Sequence, residues 1–393
     1  MSKRFVLIME TNGHRAHNRC LFPFAGGGIT VKLLDRDRTP VRFTVVTSVA
    51  GGLVLAGVLA VVRSDAMTAK VPAWSVLVVG VVVAGLLLLH RTRWPRRTRQ
   101  AFLVTSAFRQ KYWVAGFVQR MHGVLDRNGI DLVLKVPDRD YDAAAQAHHL
   151  RRILAARRAY IGGIVVATEV QRLRLDLVEF CTELALPVVF TDVEPFDDED
   201  QYPRNAVFVG YLSSDLGALA GRWLAAYLRE RSSRRPHVLI VASRQHQTRQ
   251  SHCATVLQAE LPEVSITVND SCAFNRLRAQ DAVQSHSRAL ASRHGRLDAV
   301  FCTNDEMALG AVDALRASTS PVTTDTVIIG VDGTTEARTL IDTGTSPLRA
   351  TVVQDSHCLA ESVVDVLEKM CKRREAIKRT ILDPEVYETK QRS

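Results

Sequence analysis

Apolar and polar positions alternate in a regular order from residue 101 of this 393-residue chain onward. Short apolar runs rich in β-branched residues are separated by stretches with the 3.6-residue repeat of amphipathic helices. This order predicts right-handed βαβ units and an α/β fold of two doubly wound parallel-sheet lobes, because one sheet would be too large. The strands are predicted at 101–106, 130–136, 160–167, 187–191, 206–209, 237–242, 264–268, 297–302, 326–331 and 348–353. The helices are predicted at 114–127, 142–158, 169–184, 216–229, 249–261 and 307–315.

Three of these apolar runs end at an amide or a carboxylate. Asn304 follows the run 297–302, while Asp332 and Gln354 directly follow the next two runs. Open α/β sheets bind ligands at the carboxyl ends of their strands, so these side chains predict a binding site. Asn304 and Asp332 also suit helix caps and turns, but their joint occurrence favours ligand contact.

The same three stretches read DAVFCTNDEMALGAVDAL, VIIGVDGTTEA and LRATVVQD. In order and spacing they resemble the type I periplasmic sugar-binding proteins of the ribose and galactose class, and the effector domains of lactose-repressor-type regulators. The resemblance covers about residues 101 to 390. It implies two hinged lobes, the first about 101–211 with 355–372, the second about 212–353 with 373–393. Such lobes close over a ligand by a population shift.

The resemblance also implies a set of ligand-binding residues. Aromatic faces suit the C–H faces of a sugar ring, and carboxylates or amides take adjacent hydroxyls. Packing at the start of a helix is an equal alternative for Tyr112. The predicted ligand-binding residues are Gln110, Tyr112, Trp113, Asp192, Gln247, Arg249, Asn304, Asp332 and Gln354.

The chain departs from the family pattern at two arginine positions. Val193 follows Asp192 where the family often has arginine, and Gln247 with Thr248 precedes Arg249 where it often has Arg-x-Arg. Without these guanidinium groups, the site lacks much of the bidentate hydrogen bonding expected for a simple pentose or hexose. The expected ligand is therefore a different polyol or a modified sugar, unless the pocket binds nothing.

The net charge of +10 is concentrated near the amino terminus. Residues 1–100 hold fifteen Lys and Arg against four Asp and Glu, whereas 36 basic and 37 acidic residues follow. This distribution argues against nucleic-acid binding by the folded part. The seven cysteines are scattered without a CxxC pair, which favours buried free thiols and predicts neither a metal site nor a cofactor.

Two uncharged apolar segments, 43–62 and 71–89, each have about the 20 residues that a transmembrane helix needs. They predict a helical hairpin between a basic segment, 1–42, and a basic linker, 90–100, followed by a substrate-binding domain, 101–393. The basic flanks predict a multi-pass membrane protein with its soluble domain on the cytoplasmic face. The basic segment after the second span is predicted to pair with anionic lipid head groups, and the equal alternative is a stop-transfer signal with no further role. Its arginines are Arg91, Arg93, Arg96, Arg97 and Arg99.

The sequence contains no convincing set of catalytic or metal-binding residues. His246 and His252 could approach a ligand, but no third metal ligand is suitably spaced. No GxSxG elbow or nucleophile and base pair is evident, so an enzyme is not expected. The sequence predicts a membrane-anchored binding protein for a sugar-like small molecule, acting as a ligand sensor coupled to a partner protein. The alternative is a solute receptor of an ABC-type sugar importer, with a permease as partner.

Overall fold

A computed structural model describes residues 7–11, 29–33, 41–45, 99–106, 112–139, 141–231, 235–318, 321–374 and 376–388. The chain divides into two compact units, Met1–Arg97 and Thr98–Ser393. The described part of the first unit is an antiparallel sheet in the order β1, β2, β3. Its strands are β1 (Leu7–Thr11), β2 (Ile29–Leu33) and β3 (Val41–Val45).

The predicted transmembrane hairpin is not found among the described residues. Its first span was predicted to begin at Phe43, but Phe43 lies in β3, paired with Val31 of β2. The rest of 43–62 and all of 71–89 lie outside the described residues. No helix in the described part of the chain has both the length and the apolar character to cross a bilayer. The predicted linker 90–100 also ends too late, because Arg99 already belongs to a strand.

The first lobe of the second unit is a parallel six-stranded sheet, in the order β14, β8, β7, β6, β4, β5. Its elements are β4 (Arg99–Val104), α1 (Tyr112–Arg127), β5 (Ile130–Lys135), α2 (Ala143–Ala155), β6 (Tyr160–Val165), α3 (Val170–Leu184), β7 (Val188–Phe190) and β8 (Ala206–Gly210), with α9 (Ser356–Cys371) and β14 (Arg379–Ile381) returning from further along the chain.

Strand β4 lies between β6 and β5 and buries alternate side chains on opposite faces of the sheet. Leu103 packs in the same buried cluster as Phe117 of α1, while Phe102 packs with Phe180 of α3. Gly163 on β6 permits this packing, because a Cβ there would lie 2.4 Å from the ring of Phe102. Both faces of the sheet are therefore covered, as a parallel sheet requires.

The second lobe is a six-stranded sheet in the order β10, β9, β11, β12, β13, β15. All neighbours are parallel except β13 and β15, which are antiparallel. Its elements are α4 (Ser213–Glu230), β9 (His237–Val241), α5 (Gln247–Glu260), β10 (Ser265–Asn269), α6 (Arg276–Ala291), β11 (Ala299–Cys302), α7 (Asp305–Arg316), β12 (Val327–Asp332), α8 (Thr335–Thr343), β13 (Leu348–Val353) and β15 (Glu385–Glu388).

Helices α4 and α5 cover one face of the second sheet and cross closely at a glycine. A Cβ on Gly217 of α4 would lie 2.0 Å from the backbone oxygen of Arg249, on α5. Only glycine fits at this crossing, so the small residue fixes where the first turn of α5 can lie.

The chain crosses between the lobes three times: from β8 to α4, from β13 to α9, and from β14 to β15. The first two crossings are joined by the backbone N–H of Asp355, which donates to the hydroxyl of Tyr211 over 3.1 Å. The sequence prediction assigned 373–393 to the second lobe, but β14 pairs with β8 of the first lobe, with Arg379 opposite Phe208. Three adjacent crossings form a hinge about which the two lobes can move.

Candidate functional site

A narrow cavity lies between the two lobes, where the carboxyl ends of both sheets face each other. Its volume is about 40 Å³, so the cleft is nearly closed. The residues that line it are Trp113, Val114, Tyr141, Asp192, His246, Arg249, Phe274, Asn304, Glu306, Asp332, Thr334 and Gln354.

A larger groove, of about 1520 Å³, lies at the opposite end of the first lobe. It is lined by residues at the amino ends of strands, including Arg99, Pro187 and Asn205. None of the polar residues that follow strand ends lines this groove. The candidate site is therefore the cleft between the lobes.

The structure brings six of the nine predicted site residues to this cleft. Of the other three, Gln247 begins α5 but does not line the cavity. Gln110 and the side chain of Tyr112 lie outside the described residues. The six that line the cavity are Trp113, Asp192, Arg249, Asn304, Asp332 and Gln354.

Two aromatic residues of the cleft are absent from the sequence prediction. Tyr141 and Phe274 belong to different lobes, and their ring centroids lie 5.8 Å apart. Each residue has a positive φ, 55° for Tyr141 and 57° for Phe274, in a turn several residues after a strand. No apolar run ends at either position, so the rule that found Asn304 and Asp332 does not find them.

Arg249 is the cation at the centre of the cleft. It is 2 % exposed, and its Nη1 donates a hydrogen bond of 2.6 Å to the backbone oxygen of Thr303. Burial lowers the pKa of Arg249, while Asp332, Asp192 and Asp305 oppose that shift in this order. Its Nε atom is buried and has no hydrogen-bond partner among the described residues. Arg249 thus has one N–H for which the described part of the chain offers no acceptor.

Asp332 and Gln354 form a polar pair across neighbouring strand ends. Gln354 Nε2 donates to Asp332 Oδ1 over 2.9 Å, and both residues are buried. Burial raises the pKa of Asp332 well above its usual value, and the nearby carboxylate of Asp305 raises it further. Asp332 also has a φ of 127°, which side chains other than glycine rarely adopt.

Asp305 supports this pair from behind the cavity. Its carboxylate accepts hydrogen bonds from the N–H of Thr334 and the hydroxyl of Thr351, both over 2.7 Å. Burial raises the pKa of Asp305 to about 6, although these hydrogen bonds act in the opposite direction. Asp305 therefore holds the loop after β12 in place and adds negative charge behind Asp332.

Asn304 combines both roles that the sequence left open. Its side-chain oxygen accepts a 3.0 Å hydrogen bond from the N–H of Met307 and caps α7. Asn304 is also among the residues that line the cavity. The cap holds the side chain in one orientation at the wall of the cleft.

Trp113 joins the first lobe to the second crossing. Its indole Nε1 donates a 2.9 Å hydrogen bond to the backbone oxygen of Gln354. The indole also stacks on Phe117, with the ring centroids 5.6 Å apart and an interplanar angle of 3°. Trp113 therefore has a fixed position at the cleft and presents a flat apolar face.

Among the described residues, no three His, Cys, Asp or Glu side chains are grouped so that they could hold a metal ion. His246 lines the cleft, whereas His252 does not and places its Nδ1 2.9 Å from the backbone oxygen of Thr248.

Two α/β lobes with three crossings and a polar cleft at the strand ends define a two-lobed binding domain of the periplasmic type. The chain belongs to the family described as periplasmic binding protein domain, whose model matches residues 102–375. This match confirms the family resemblance and the α/β fold that the sequence predicted.

Relatives and solved structures agree with this assignment. The chain is 26 % identical over 279 residues to a putative rhizopine-binding protein of Rhizobium meliloti, covering 67 % of this chain and 84 % of that protein. It is 31 % identical over 99 residues to the ribose import binding protein of Escherichia coli (strain K12), covering 25 % and 30 %. A periplasmic solute binding protein of an ABC transporter from Actinobacillus succinogenes, with bound D-allose, matches with a TM-score of 0.64 at 17 % identity, covering 74 % and 97 %. A solute binding protein from Bacillus halodurans, with bound myo-inositol, matches with a TM-score of 0.60 at 20 % identity, covering 74 % and 94 %.

These comparisons confirm one sequence prediction and correct another. The relatives are binding proteins, in agreement with the prediction that the chain is not an enzyme. The predicted location, a multi-pass membrane protein with its binding domain on the cytoplasmic face, is wrong. The family is one of periplasmic binding proteins, and the charge asymmetry of the amino-terminal region misled the prediction.

Proposed function

We propose that this protein binds a sugar-like or polyol small molecule in the cleft and acts by closure of its two lobes. The observation that supports the proposal is the convergence of polar side chains from distant parts of the chain. Asp192 belongs to the first lobe, Asn304 and Asp332 belong to the second, and Gln354 lies at the crossing. Carboxylate and amide groups of this kind can each engage adjacent hydroxyls of a polyol.

The apolar part of the cleft suits the same class of ligand. Trp113, Tyr141 and Phe274 supply aromatic faces at the cavity wall. Such faces pack against the C–H groups of a sugar or cyclitol ring, while polar groups fix the ring orientation. The unpartnered Nε of Arg249 adds a donor for a hydroxyl oxygen of the ligand.

Backbone geometry also supports a binding role. Asp192 has a φ of 66° and Asp332 a φ of 127°. Non-glycine residues in sparsely populated regions store strain of about 1–3 kcal/mol each, and such residues cluster at ligand sites. Two aspartates on opposite walls of one cleft share this property, so their side chains are held where a ligand can reach both.

Closure is the proposed mode of action because the cavity is too small to admit a monosaccharide from outside. A ligand enters when the lobes separate about the three crossings and is then enclosed. Contacts made only in the closed state shift the population towards that state.

Delivery of the solute to an ABC-type importer is the proposed use of this binding. It is supported by the fold, which is typical of such receptors, and by the ribose import binding protein among the relatives. A ligand sensor coupled to a partner protein is the second candidate. It is favoured by the separate unit Met1–Arg97, which precedes the family match.

Thermal unfolding of the full-length chain with pentoses, hexoses and inositols tests the binding proposal. A ligand at a hundredfold its dissociation constant adds about 2.7 kcal/mol to the free energy of unfolding. Asp332→Ala should abolish the shift with an unchanged circular-dichroism spectrum, whereas Asp281→Ala, at an exposed position of α6, should retain it. An undiminished shift in the Asp332 variant would count against the assigned cleft.

A further inference from the structure

Two histidines from different elements of the second lobe face each other through their ring nitrogens. His237 begins β9 and His286 lies in α6, and their Nε2 atoms are 2.9 Å apart. The ring centroids are 5.0 Å apart and the ring planes differ by 27°. Neither residue lines the cleft, and neither belongs to the three stretches that carry the family resemblance. The proposed function therefore gives this pair no role.

The surroundings of the pair hold both rings in place and keep them neutral. The backbone N–H of His237 donates to Oδ2 of Asp298 over 2.8 Å, and Oδ1 of Asp298 accepts from Nε of Arg296 over 3.0 Å. The hydroxyl of Thr267, on β10, lies 3.4 Å from His237 Nε2. Burial lowers the pKa of both histidines from 6.5, and His237 lowers that of His286 further, while Asp298 opposes the shift of His237. At pH 7 both imidazoles are therefore neutral, which is the form that binds a metal ion.

The separation of the two nitrogens suits a pair of ligands on one metal ion. Imidazole nitrogen binds Zn²⁺ at about 2.0–2.1 Å, so two bonds at a right angle place the nitrogens about 2.9 Å apart, and the tetrahedral angle requires about 3.3 Å. The observed 2.9 Å lies at the lower end of this range. Both side chains are half-buried, so a rotation of a few tenths of an ångström reaches the tetrahedral value. The proton that one Nε2 now donates to the other can be carried on Nδ1 of the same ring, which leaves both Nε2 lone pairs available and both rings neutral.

We propose that His237 and His286 together bind one divalent transition-metal ion of the class that prefers imidazole nitrogen, Zn²⁺ or Cu²⁺, through their Nε2 atoms. Imidazole is a favoured ligand of both ions. No group of three His, Cys, Asp or Glu side chains is present among the described residues, so water completes the coordination on the exposed side of the two rings. The ion links the start of β9 to α6 and so stabilises the second lobe.

Titration of the metal-free, full-length protein with zinc chloride at pH 7.5 tests the site by counting bound ions. His237→Gln and His286→Gln should each bind one equivalent fewer than the wild type. The matched control is His148→Gln on α2, which removes an exposed imidazole from another pair of neighbouring histidines, with ring centroids 6.1 Å apart, and should keep the wild-type count. Zinc should also raise the melting temperature of the wild type and the control more than that of either variant, because it binds only the folded site.

Electron paramagnetic resonance with one equivalent of copper sulfate identifies the ligands directly. The wild type and His148→Gln should show superhyperfine splitting from two imidazole nitrogens, whereas each variant of the pair should lose it. Circular dichroism checks that the variants fold, and two separate positions keep the test available if one variant does not. A wild type that binds no zinc, or an unchanged zinc count and copper spectrum in a folded His237 or His286 variant, would overturn the proposal. Sugar binding in the cleft is measured separately, so the proposed function would be unaffected.

Discussion

The indole Nε1 of Trp113 in the first lobe donates a 2.9 Å hydrogen bond to the backbone oxygen of Gln354, at the second crossing between the lobes. The side chain of Gln354 in turn bonds Asp332 of the second lobe over 2.9 Å. One residue of the hinge thus contacts both walls of the cleft. When the cleft opens, these three residues either move together or lose one of the two hydrogen bonds. The lobe movement is therefore coupled to the ligand site.

The first prediction concerns this hydrogen bond. Trp113→Phe keeps an aromatic face but removes the indole donor, and a typical hydrogen bond contributes about 0.5–1.5 kcal/mol. We expect ligand affinity to fall by about 2- to 12-fold, the same energy expressed as a ratio. Titration calorimetry would measure the change. Trp223→Phe is the matched control, because Trp223 Nε1 bonds Glu388 outside the cleft; equal losses in both variants would contradict a role for the Trp113 contact.

The second prediction concerns the buried cation. Arg249→Met leaves Asp332, Asp192 and Asp305 without a nearby positive charge and removes the hydrogen bond to the backbone oxygen of Thr303. A hydrogen bond of this kind, from a charged group, contributes about 1.5–3 kcal/mol. The raised pKa values of Asp305 and Asp332 determine how this loss depends on pH. Below the unfolded-state pKa both carboxyls are protonated and need no positive charge. The folded state loses stability as the pH rises through the folded-state pKa and the carboxyls ionise. The deficit should therefore be larger at pH 8 than at pH 5.

Urea unfolding at both pH values measures this effect. The control is Arg235→Met, which removes an exposed ion pair with Glu263 and should cost less than about 1 kcal/mol at either pH. A pH-independent loss in the Arg249 variant would show that packing, and not charge, is its main contribution.

The third prediction concerns Gly217, which does not line the cleft. Gly217→Ala places a methyl group against the backbone of Arg249 and must displace the start of α5. We expect a loss of about 1–3 kcal/mol in stability together with weaker ligand binding. Gly123→Ala in α1 is a matched change, since a Cβ there meets nothing within 4 Å, and it should stabilise the protein by up to about 1 kcal/mol. Unaltered binding by Gly217→Ala would mean that α5 can shift without moving the guanidinium.

The fourth prediction concerns the stability cost of the Glu306 carboxylate, which lines the cleft. The pKa of Glu306 is raised from 4.5 to about 7, so its ionised form is disfavoured in the folded state. Gln resembles the protonated form, so Glu306→Gln should match the wild type below about pH 4.5, gain stability relative to it as the pH rises from 4.5 to 7, and keep the full difference above pH 7. Allowing for solvent screening, the gain at pH 8 is about 1–3 kcal/mol. Chemical unfolding between pH 5 and pH 8 should show the gain growing with pH; a constant difference would exclude titration of Glu306 as its source.

Much of the fold was predictable because parallel strands buried on both faces are continuous apolar runs. The strand predicted at 237–242 is observed as β9 (His237–Val241), and the others agree similarly. Helices α6 (Arg276–Ala291), α8 and α9 were not among the predicted helices. In α6 only Ala279, Val283 and Ser287 are buried, so its apolar repeat is weak. Strands β14 and β15 were missed because each is short, polar and located at a sheet edge.

The pattern of the residues alone predicted the site where a polar residue follows an apolar strand, and the family resemblance added Trp113 and Arg249. Asp332 and Gln354 satisfy that condition, whereas the turn residues Tyr141 and Phe274 do not. Gln247 and Arg249 were predicted together, but residues two apart on a helix point about 200° away from each other. Only Arg249 faces the cleft, and sequence spacing alone cannot decide which of the two does so.

Strands β14 and β15 are separated by only three residues, 382–384, yet they complete the sheets of different lobes. Deleting this carboxyl-terminal stretch would uncover β8 and β13 simultaneously, each with a row of unsatisfied N–H and C=O groups. Exposed edges of this kind recruit strands from other molecules. Light scattering of a protein shortened after Cys371 should accordingly reveal self-association, and a monodisperse monomer would show that other segments can protect those edges.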